Sequence, residues 1–463
     1  MLVSLPALAQ RVTVLGSTRN NAATSEGVRR CSSGSWPDTE PPIGQSLESA
    51  RFATKETASA YLSTTRPSRQ ANHAPNSDAM RESGRFCGVP RPPKVIHMAT
   101  DPDPWLGFEG HEEVVVAHDE ATDLRAVIAI HSTALGPSLG GVRMSTYAHA
   151  GDESAAHAAA YADALRLSRA MTYKNALAGL PHGGGKAVIV HDPRNKPREL
   201  LHGFGRMVDS LNGRYVTAGD VGMTVQDMDV IGEVCRWTTG RSAEHGGVGD
   251  SGILTAVGVH AGMRAGAEAA FGSADLAGRT VGVVGAGKVG GRLVSHLIGD
   301  GAQVVALDPS PQARQSVEGP YPGRVTWVED LDELLAHGVD ILSPNALGGL
   351  VTPSVVQRLR ETGVGLVCGG ANNQLVSPEV GDLLDEAGVL YTPDFCVNCG
   401  GVIQVAEELV GADLDRARAM VEGVFETTRR VLSRAREEGI TPVRAAEREA
   451  EARIAGASAA EPG

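Results

Sequence analysis

The stretch VGVVGAGKVG, residues 281–290, constrains the fold of this chain more than any other. Its glycines, Gly285, Gly287 and Gly290, have G-x-G-x-x-G spacing, and the next apolar run ends at Asp308. A β-branched run precedes the glycines and helix-forming sequence follows them. This order is the fingerprint of a dinucleotide-binding strand–helix–strand unit, because glycine lets the backbone turn sharply and approach a pyrophosphate.

The acidic residue that ends the second strand decides between the two nicotinamide dinucleotides. Asp308 accepts a hydrogen bond from a ribose 2′-hydroxyl and repels a 2′-phosphate, so the sequence favours NAD over NADP. Lys288 attracts phosphate in general without overriding that preference. The predicted cofactor contacts in the turn are Gly285, Ala286, Gly287, Lys288, Val289 and Gly290.

The rest of the chain indicates a second α/β domain. After the fingerprint, helix-like and strand-like segments alternate, which is typical of a parallel Rossmann-type sheet with helices on both faces. Before it, HEEVVVAHDE, LRAVIAIHSTA and GRYVTAG predict strands. We predict a substrate-binding domain at residues 98–245, an NAD-binding Rossmann domain at 246–400, an active-site cleft between them, and C-terminal helices at 401–463 that pack back on the inter-domain region.

Residues 1–97 differ in composition from the remainder. They are rich in Ser, Thr, Arg, Pro, Asn and Gly, and no sustained hydrophobic periodicity is present. Such a segment cannot bury enough apolar surface to offset its ordering entropy. We predict a disordered or non-native extension, with translation beginning at Met98.

Charge and cysteine usage exclude several classes of function. The net charge of −13 argues against nucleic acid or an anionic membrane as the main partner. The six cysteines are scattered, and no apolar run reaches the roughly 20 residues of a membrane span, so we predict a cytoplasmic protein. Cys396 and Cys399 have the spacing of a redox pair or of zinc ligands, but a structural zinc needs about four ligands and the sequence has no second pair. We predict two buried thiols and no metal.

The stretch LPHGGGKAVIV, residues 180–190, raises a different question. A phosphate-binding loop needs Ser or Thr after its lysine and then a helix, but Lys186 is followed by Ala187 and a β-branched run. Lys174 lies upstream and Asp220 downstream, and we place all three charged residues on apolar, glycine-rich loops. A solvated lysine is the plain alternative for either position, but charges in apolar company indicate a functional site.

Several ordered motifs resemble the glutamate/leucine/phenylalanine/valine dehydrogenase family. They are GPSLGGVRM, MTYKNALAGLPHGGGKAVI, GRYVTAGDVG, CGGANNQL and VNCGGVIQVAEEL. The resemblance covers roughly residues 112–435 and is closest to branched-chain members of the actinobacterial valine dehydrogenase type. It implies NAD-dependent oxidative deamination of an L-2-amino acid to a 2-oxo acid with release of ammonia and NADH. It also implies a homo-oligomer, either dimer or octamer.

The resemblance carries roles to individual positions of this sequence. Lys186 matches the catalytic lysine, Lys174 the lysine that pairs with the substrate carboxylate, and Asp220 the proton-transfer aspartate. In these roles Lys186 accepts a proton from the attacking water and then stabilises the carbinolamine oxygen. The family pattern also assigns substrate contacts to Gly140 and Asn373, and cofactor contacts to Thr255 and Asn372.

The side-chain pocket inferred from the resemblance is apolar. Its matched positions are Leu139, Ala218, Val402 and Val405. Glutamate-specific relatives carry a lysine where this chain has Leu139, and a carboxylate buried there without a partner is costly. We expect valine, leucine or isoleucine as substrate. Leucine and valine differ by one methylene, worth about 1 kcal/mol, so the sequence leaves the choice between them open.

Two alternatives remain beside the branched-chain enzyme. Phenylalanine dehydrogenase shares the chemistry, and a non-catalytic NAD sensor shares the fold. The presence of Lys174, Lys186 and Asp220 together argues against the sensor. Asn345 and Cys399 depart from close relatives, which usually carry cysteine and alanine there, and these departures blur the substrate prediction.

Overall fold

The computed structural model describes residues 94–98 and 110–460, which form two six-stranded sheets. The first sheet has the order β1-β2-β3-β5-β4-β6. Strands β1, β2, β3 and β5 pair antiparallel in succession, whereas β4 pairs in parallel with both β5 and β6. Its strands are β1 Lys94–Met98, β2 Glu113–Asp119, β3 Leu124–Ser132, β4 Ser138–Ser145, β5 Gly183–Val190 and β6 Tyr215–Gly219.

The first strand of this sheet lies across the predicted boundary between the N-terminal extension and the substrate domain. Strand β1 begins at Lys94 and pairs with β2, so a boundary at residue 98 falls inside the sheet. Pairing along a whole neighbouring strand orders a short segment that has no periodicity of its own. The rest of the predicted extension, residues 1–93, lies outside the residues that the structure describes.

Three helices complete the first domain: α1 Glu153–Leu177, α2 Arg198–Asp209 and α3 Val225–Gly232. The Asp152 side chain caps α1 by accepting from Ala155 N at 2.8 Å, which satisfies a free helical N–H. Helix α1 packs on β3 and β5 through a buried face of small residues that includes Ala160 and Ala164. Small side chains let the helix approach the sheet closely, and this brings the end of α1 next to β5.

The second sheet is entirely parallel and has the order β12-β11-β10-β7-β8-β9. This is the doubly wound order of dinucleotide-binding domains, so the predicted fold class is confirmed. Its strands are β7 Thr280–Val284, β8 Gln303–Leu307, β9 Val325–Val328, β10 Ile341–Pro344, β11 Leu366–Val367 and β12 Leu390–Tyr391. Its helices are α4 Gly252–Phe271, which leads in, and α5 Gly290–Gly299, α6 Pro311–Glu318, α7 Leu331–Ala336, α8 Pro353–Thr362 and α9 Val380–Glu386.

The C-terminal segment is helical and contacts both domains. Its helices are α10 Asp394–Val397, α11 Gly400–Glu407, α12 Leu414–Glu422, α13 Val424–Glu438 and α14 Pro442–Ala460. Helix α13 packs on α4, and α14 packs on α1. The Tyr173 hydroxyl of α1 lies 3.0 Å from a Glu451 carboxylate oxygen, and Arg453 donates to the Leu180 carbonyl at 3.0 Å. The final helix therefore holds the end of α1. Within the described ranges, none of the helices combines the length and apolar character needed to cross a bilayer.

A half-buried histidine under α1, His131, makes stability depend on pH. Burial, His111 and Arg169 lower the pKa of His131 to about 4, and its Nδ1 lies 2.9 Å from Thr172 Oγ1. In the unfolded chain this histidine protonates near pH 6.5. Its contribution to the unfolding free energy is therefore complete above pH 6.5 and is lost as pH falls towards 4, because the unfolded state binds the proton more tightly. The shift is worth about 3 kcal/mol in full, and solvent screening reduces it to about 1–2 kcal/mol.

We expect His131→Asn to flatten this dependence, because an amide can keep the bond to Thr172 without titrating. Urea unfolding at pH 7.5 and pH 4.5 measures the difference in unfolding free energy. The exposed His337 provides a matched control, since His337→Asn removes a histidine without a buried site. Equal pH dependence in the parent and His131→Asn would contradict the expectation.

Candidate active site

One face of the first sheet carries the predicted catalytic lysine. The parallel register of β4 and β5 pairs Leu139 with Gly184. Residues two positions apart in a strand share a face, so Gly141 and Lys186 are neighbours on the same face as Leu139. The register between β4 and β6 adds Ala218, which pairs with Gly141. Adjacent parallel strands thus bring the predicted catalytic lysine and two predicted pocket residues onto one surface.

The lysines do not lie on loops, so that part of the sequence interpretation is wrong. Lys174 is in the last turn of α1, and Lys186 lies within β5, which begins at Gly183. Glycines disfavour strands, but here they permit close packing: a Cβ on Gly184 would lie 2.1 Å from Thr172 N of α1. Tertiary packing therefore overrides the loop propensity of the glycine run.

Lys186 and Asp220 form an ion pair at the edge of this surface. Lys186 Nζ lies 2.7 Å from Asp220 Oδ2, and the side chains are 7% and 20% exposed. Asp220 follows β6 directly and approaches β4 where the chain has no side chain: a Cβ on Gly141 would lie 2.8 Å from the Asp220 Cβ. Asp220 can therefore reach Lys186 only because Gly141 has no side chain.

Two cations keep Asp220 ionised. Burial alone raises the pKa of a carboxyl group, but the charges of Lys186 and Arg143 outweigh it and lower the pKa of Asp220 to about 2. Arg143 Nε lies 3.3 Å from the same oxygen, Oδ2, that contacts Lys186. Asp220 is consequently an anion at neutral pH.

Lys174 connects the two domains. Its Nζ donates to Asn372 Oδ1 at 3.1 Å, and Asn398 Nδ2 donates to the same oxygen at 2.8 Å. Burial lowers the pKa of Lys174, with a further lowering from Lys186, while Asp394 and Asp220 oppose the shift. Lys174 is therefore coupled electrostatically to Lys186 and Asp220 in its own domain and bonded to Asn372 in the other.

The two asparagines of CGGANNQL take different positions. Asn372, which we expected at the cofactor, contacts the lysine expected to hold the substrate. Asn373, which we expected at the substrate, has a backbone φ of 54° and its carbonyl accepts from Gly349 N at 2.8 Å. The side chain of Asn372 is thus better placed than that of Asn373 to act with Lys174.

Sequence reasoning missed three polar residues of this region. Asp394 is buried beside Lys174 and begins α10 shortly after β12, near the carboxyl end of a parallel strand where sites commonly lie. Asn398 is buried next to Asn372. Arg143 lies within β4, a strand that its own two glycines concealed.

The predicted pocket positions are largely buried. Leu139 is fully buried and belongs to the same apolar cluster as Leu254, with Val402 packed against it. Ala218 lies on the Lys186 face of the sheet, and Val405 is one helical turn from Val402 on α11. The backbone carbonyl of Gly140, predicted as a substrate contact, accepts from the Tyr215 hydroxyl at 2.8 Å.

The glycine turn has the geometry that the fingerprint predicts. Strand β7 ends at Val284, Gly285 has φ of 95°, and α5 begins at Gly290. Asp308 Oδ2 accepts from Ala286 N at 2.7 Å, which holds the acidic residue against the turn. A Cβ on Gly287 would meet nothing within 4 Å, so open space lies over the turn. These features fit a dinucleotide whose pyrophosphate lies on the turn and whose ribose lies at Asp308.

Other predicted cofactor positions surround this turn. Lys288 is exposed and Val289 is half-buried. Thr255 lies in the first turn of α4, where its hydroxyl donates to the Ser251 carbonyl at 2.9 Å. Asn345 ties the end of β10 to the segment after β11, because its Oδ1 accepts from Gly370 N at 2.8 Å. Cys396 and Cys399 are free, buried thiols, and burial raises the pKa of Cys399 to about 12.

The fold and these contacts define a class of protein. A dinucleotide-binding domain adjoins a second α/β domain, in which Lys186 pairs with Asp220 and Lys174 reaches across to Asn372. Lysine side chains in a largely buried site suit a small anionic substrate next to a nicotinamide. This is the architecture of a two-domain, nicotinamide-dependent dehydrogenase.

Comparison with known proteins identifies the family. Residues 109–236 match the model of the Glu/Leu/Phe/Val dehydrogenase dimerisation domain, and residues 310–461 match that of glutamate/leucine/phenylalanine/valine dehydrogenase. Residues 256–346 match the NAD-binding domain of D-isomer specific 2-hydroxyacid dehydrogenases. The chain belongs to the Glu/Leu/Phe/Val dehydrogenase family, and the NAD prediction is confirmed.

The alignment with individual relatives covers nearly the whole length of each relative. A valine dehydrogenase of Streptomyces albus is 52% identical over 352 residues, 76% of this chain and 94% of the relative. A leucine dehydrogenase of Bacillus subtilis is 44% identical over 345 residues, 74% of this chain and 91% of the relative. The crystal structure of an L-tryptophan dehydrogenase from Nostoc punctiforme matches with a TM-score of 0.65 and 37% identity, over 76% of this chain and 98% of that chain.

Proposed function

We propose that this protein catalyses the NAD-dependent oxidative deamination of a branched-chain L-amino acid. Valine, leucine or isoleucine reacts with NAD and water to give the 2-oxo acid, ammonium, NADH and a proton. The observation that carries the proposal is the Lys186–Asp220 pair at 2.7 Å, to which Lys174 is electrostatically coupled. The similarity to valine and leucine dehydrogenases supports the same chemistry.

Lys174 binds the substrate carboxylate in this proposal. Its ammonium group already donates to Asn372, and further donors remain for a carboxylate. Bonds between an ammonium and a carboxylate are charge-assisted and strong in a partly desolvated site. The substrate's apolar side chain then lies towards Leu139, Ala218, Val402 and Val405.

Lys186 and Asp220 divide the proton chemistry. Lys186 in its neutral form accepts a proton from the attacking water, and in its charged form it stabilises the carbinolamine oxygen. Asp220, an anion with a pKa of about 2, holds the positive charge of the substrate amine and passes its proton without retaining it. Bound NAD supplies the hydride acceptor, and the protein's task is to orient the substrate Cα towards it.

A spectrophotometric assay of NADH formation tests the proposal. Valine, leucine, isoleucine, phenylalanine and glutamate are supplied separately with NAD. We expect the highest kcat/KM with an aliphatic substrate, because the predicted pocket carries no group to pair with a second carboxylate. Preference for phenylalanine would replace the branched-chain assignment, and no activity with any substrate would favour an NAD sensor.

The cofactor preference depends on Asp308. We expect Asp308→Ser to raise kcat/KM with NADP by at least about 10-fold and to lower it with NAD, because a repelling charge and a ribose acceptor are both removed. Arg314 stays next to the substituted position, because its Nε donates to the backbone carbonyl of residue 308 at 2.7 Å. Initial rates with both cofactors measure the ratio. An unchanged ratio would show that Asp308 does not face the ribose.

Assembly, location and domain limits belong to the same proposal. The N-terminal half matches a dimerisation domain, which supports a homo-oligomer, and we propose a dimer or an octamer in the cytoplasm. We further propose a substrate domain ending near residue 245, a cofactor domain to about 400, and C-terminal helices bridging them. Light scattering during size-exclusion chromatography distinguishes a dimer from an octamer by mass.

A further inference from the structure

Arg143 contacts two carboxylates that belong to different parts of the first domain. Its Nη1 lies 2.7 Å from Asp163 Oδ2 on α1, and its Nε lies 3.3 Å from Asp220 Oδ2 after β6. The arginine side chain is 23% exposed, and the two partners are 13% and 20% exposed. An arginine can serve both because its guanidinium donates from several nitrogens in a fixed plane.

The Asp163 carboxylate is held in place by two residues outside the proposed active site. Asp163 Oδ2 accepts from the Tyr147 hydroxyl at 2.7 Å, and Oδ1 accepts from Arg166 Nη2 at 2.6 Å. These bonds, together with the charges of both arginines, lower the pKa of Asp163 although burial opposes it. Asp163 is therefore a fixed anion, and it locates the Arg143 guanidinium before any substrate binds.

The charged and titratable groups around Asp220 come from four strands and helices. They are Lys186 on β5, Arg143 on β4, Lys174 on α1 and the buried phenol of Tyr215 on β6. Both lysines exchange protons or engage substrate during the proposed reaction. Arginine does not deprotonate, so Arg143 is the cation whose charge persists through the cycle.

We propose that Arg143 is a positioning residue of the deamination reaction, which holds Asp220 ionised and oriented while Lys186 is uncharged. This inference rests on the proposed function. Without Arg143, Asp220 has only lysines as counter-charges, and its orientation changes whenever Lys186 releases its proton. With Arg143, one carboxylate oxygen stays fixed, so the other remains available to the substrate amine.

Three variants test this role through the pH profile of kcat/KM. Arg143→Gln removes the charge, and we expect kcat to fall by about 100-fold and the acid limb to move to higher pH by about one unit or more, because the loss of a cation favours proton binding at the site. Arg143→Lys keeps a charge and is expected to keep the parent's acid limb with part of the activity. Arg166→Gln, the matched control, removes the arginine that contacts Asp163 but not Asp220, and is expected to keep the parent's profile.

Two outcomes would overturn the role of Arg143: a parent-like profile for Arg143→Gln, or an equal shift of the acid limb in Arg166→Gln. NADH binding, followed by fluorescence, should stay within about twofold in all three variants, which separates this role from general loss of the fold. A parent enzyme without activity would instead contradict the proposed function. In that case the ionisation of Asp220 can still be followed by infrared spectroscopy, with Asp220→Asn as the reference that identifies its carboxylate band. If the titration of that band is the same in the parent and the Arg143 variants, the role of Arg143 is excluded independently of the proposed function.

Discussion

Replacing Lys186 with alanine is expected to lower kcat/KM by about 10³-fold or more while NADH binding persists. The substitution removes the base that takes a proton from water and the cation that stabilises the carbinolamine oxygen, and general acid–base groups of this kind contribute about 10²–10⁴-fold. The fingerprint turn that binds the cofactor is in the other domain, so it should keep its geometry. Steady-state rates and NADH fluorescence titration measure the two effects separately.

The fold should tolerate this change. Asp220 keeps Arg143 at 3.3 Å and so does not become a buried charge without a partner. Lys196→Ala is a matched control, because Lys196 also pairs with an aspartate, Asp227, but on the loop before α2. We expect Lys196→Ala to retain the parent's rate. A turnover near normal for Lys186→Ala would rule out the role assigned to this lysine.

Replacing Lys174 with methionine is expected to raise KM for the amino acid by about 100-fold. The ammonium group is the predicted partner of the substrate carboxylate, and hydrogen bonds to charged groups are worth about 1.5–3 kcal/mol. Methionine preserves the length of the side chain and much of its packing in α1. Asp394, already buried and with a pKa raised by burial, loses a stabilising cation, so its neutral form is favoured further.

Initial-rate kinetics with the substrates varied in turn separate this effect from a cofactor effect. Lys174→Met should leave KM for NAD nearly unchanged. Lys288→Met, in the glycine turn, should show the opposite pattern and raise KM for NAD alone. An increase in KM for NAD that equals the increase for the amino acid would indicate that Lys174 acts through domain arrangement rather than through the substrate carboxylate.

The sequence was sufficient to predict those parts of the site whose residues lie close together along the chain. The glycine turn, the acidic residue after β8 and the helix that follows are contiguous, and the structure brings Asp308 to within 2.7 Å of the Ala286 backbone as that pattern requires. The lysines and Asp220 were found because charge in apolar, glycine-rich sequence is unusual. The resemblance then supplied roles for them, and the family comparisons agree with its identification.

The tertiary structure alone decided which residues meet across distant segments. Strand β4 escaped sequence analysis because its glycines lower strand propensity, yet its parallel register with β5 and β6 fixes which side chains share the Lys186 face. Arg143 and Asp394 act through contacts with residues far away in the sequence, and no local pattern encodes such pairs. Asn372 and Asn373 are adjacent, so only the backbone conformation, with φ of 54° at the second, determines which amide reaches Lys174. The local sequence specified the groups, and long-range packing and register specified the distances between them.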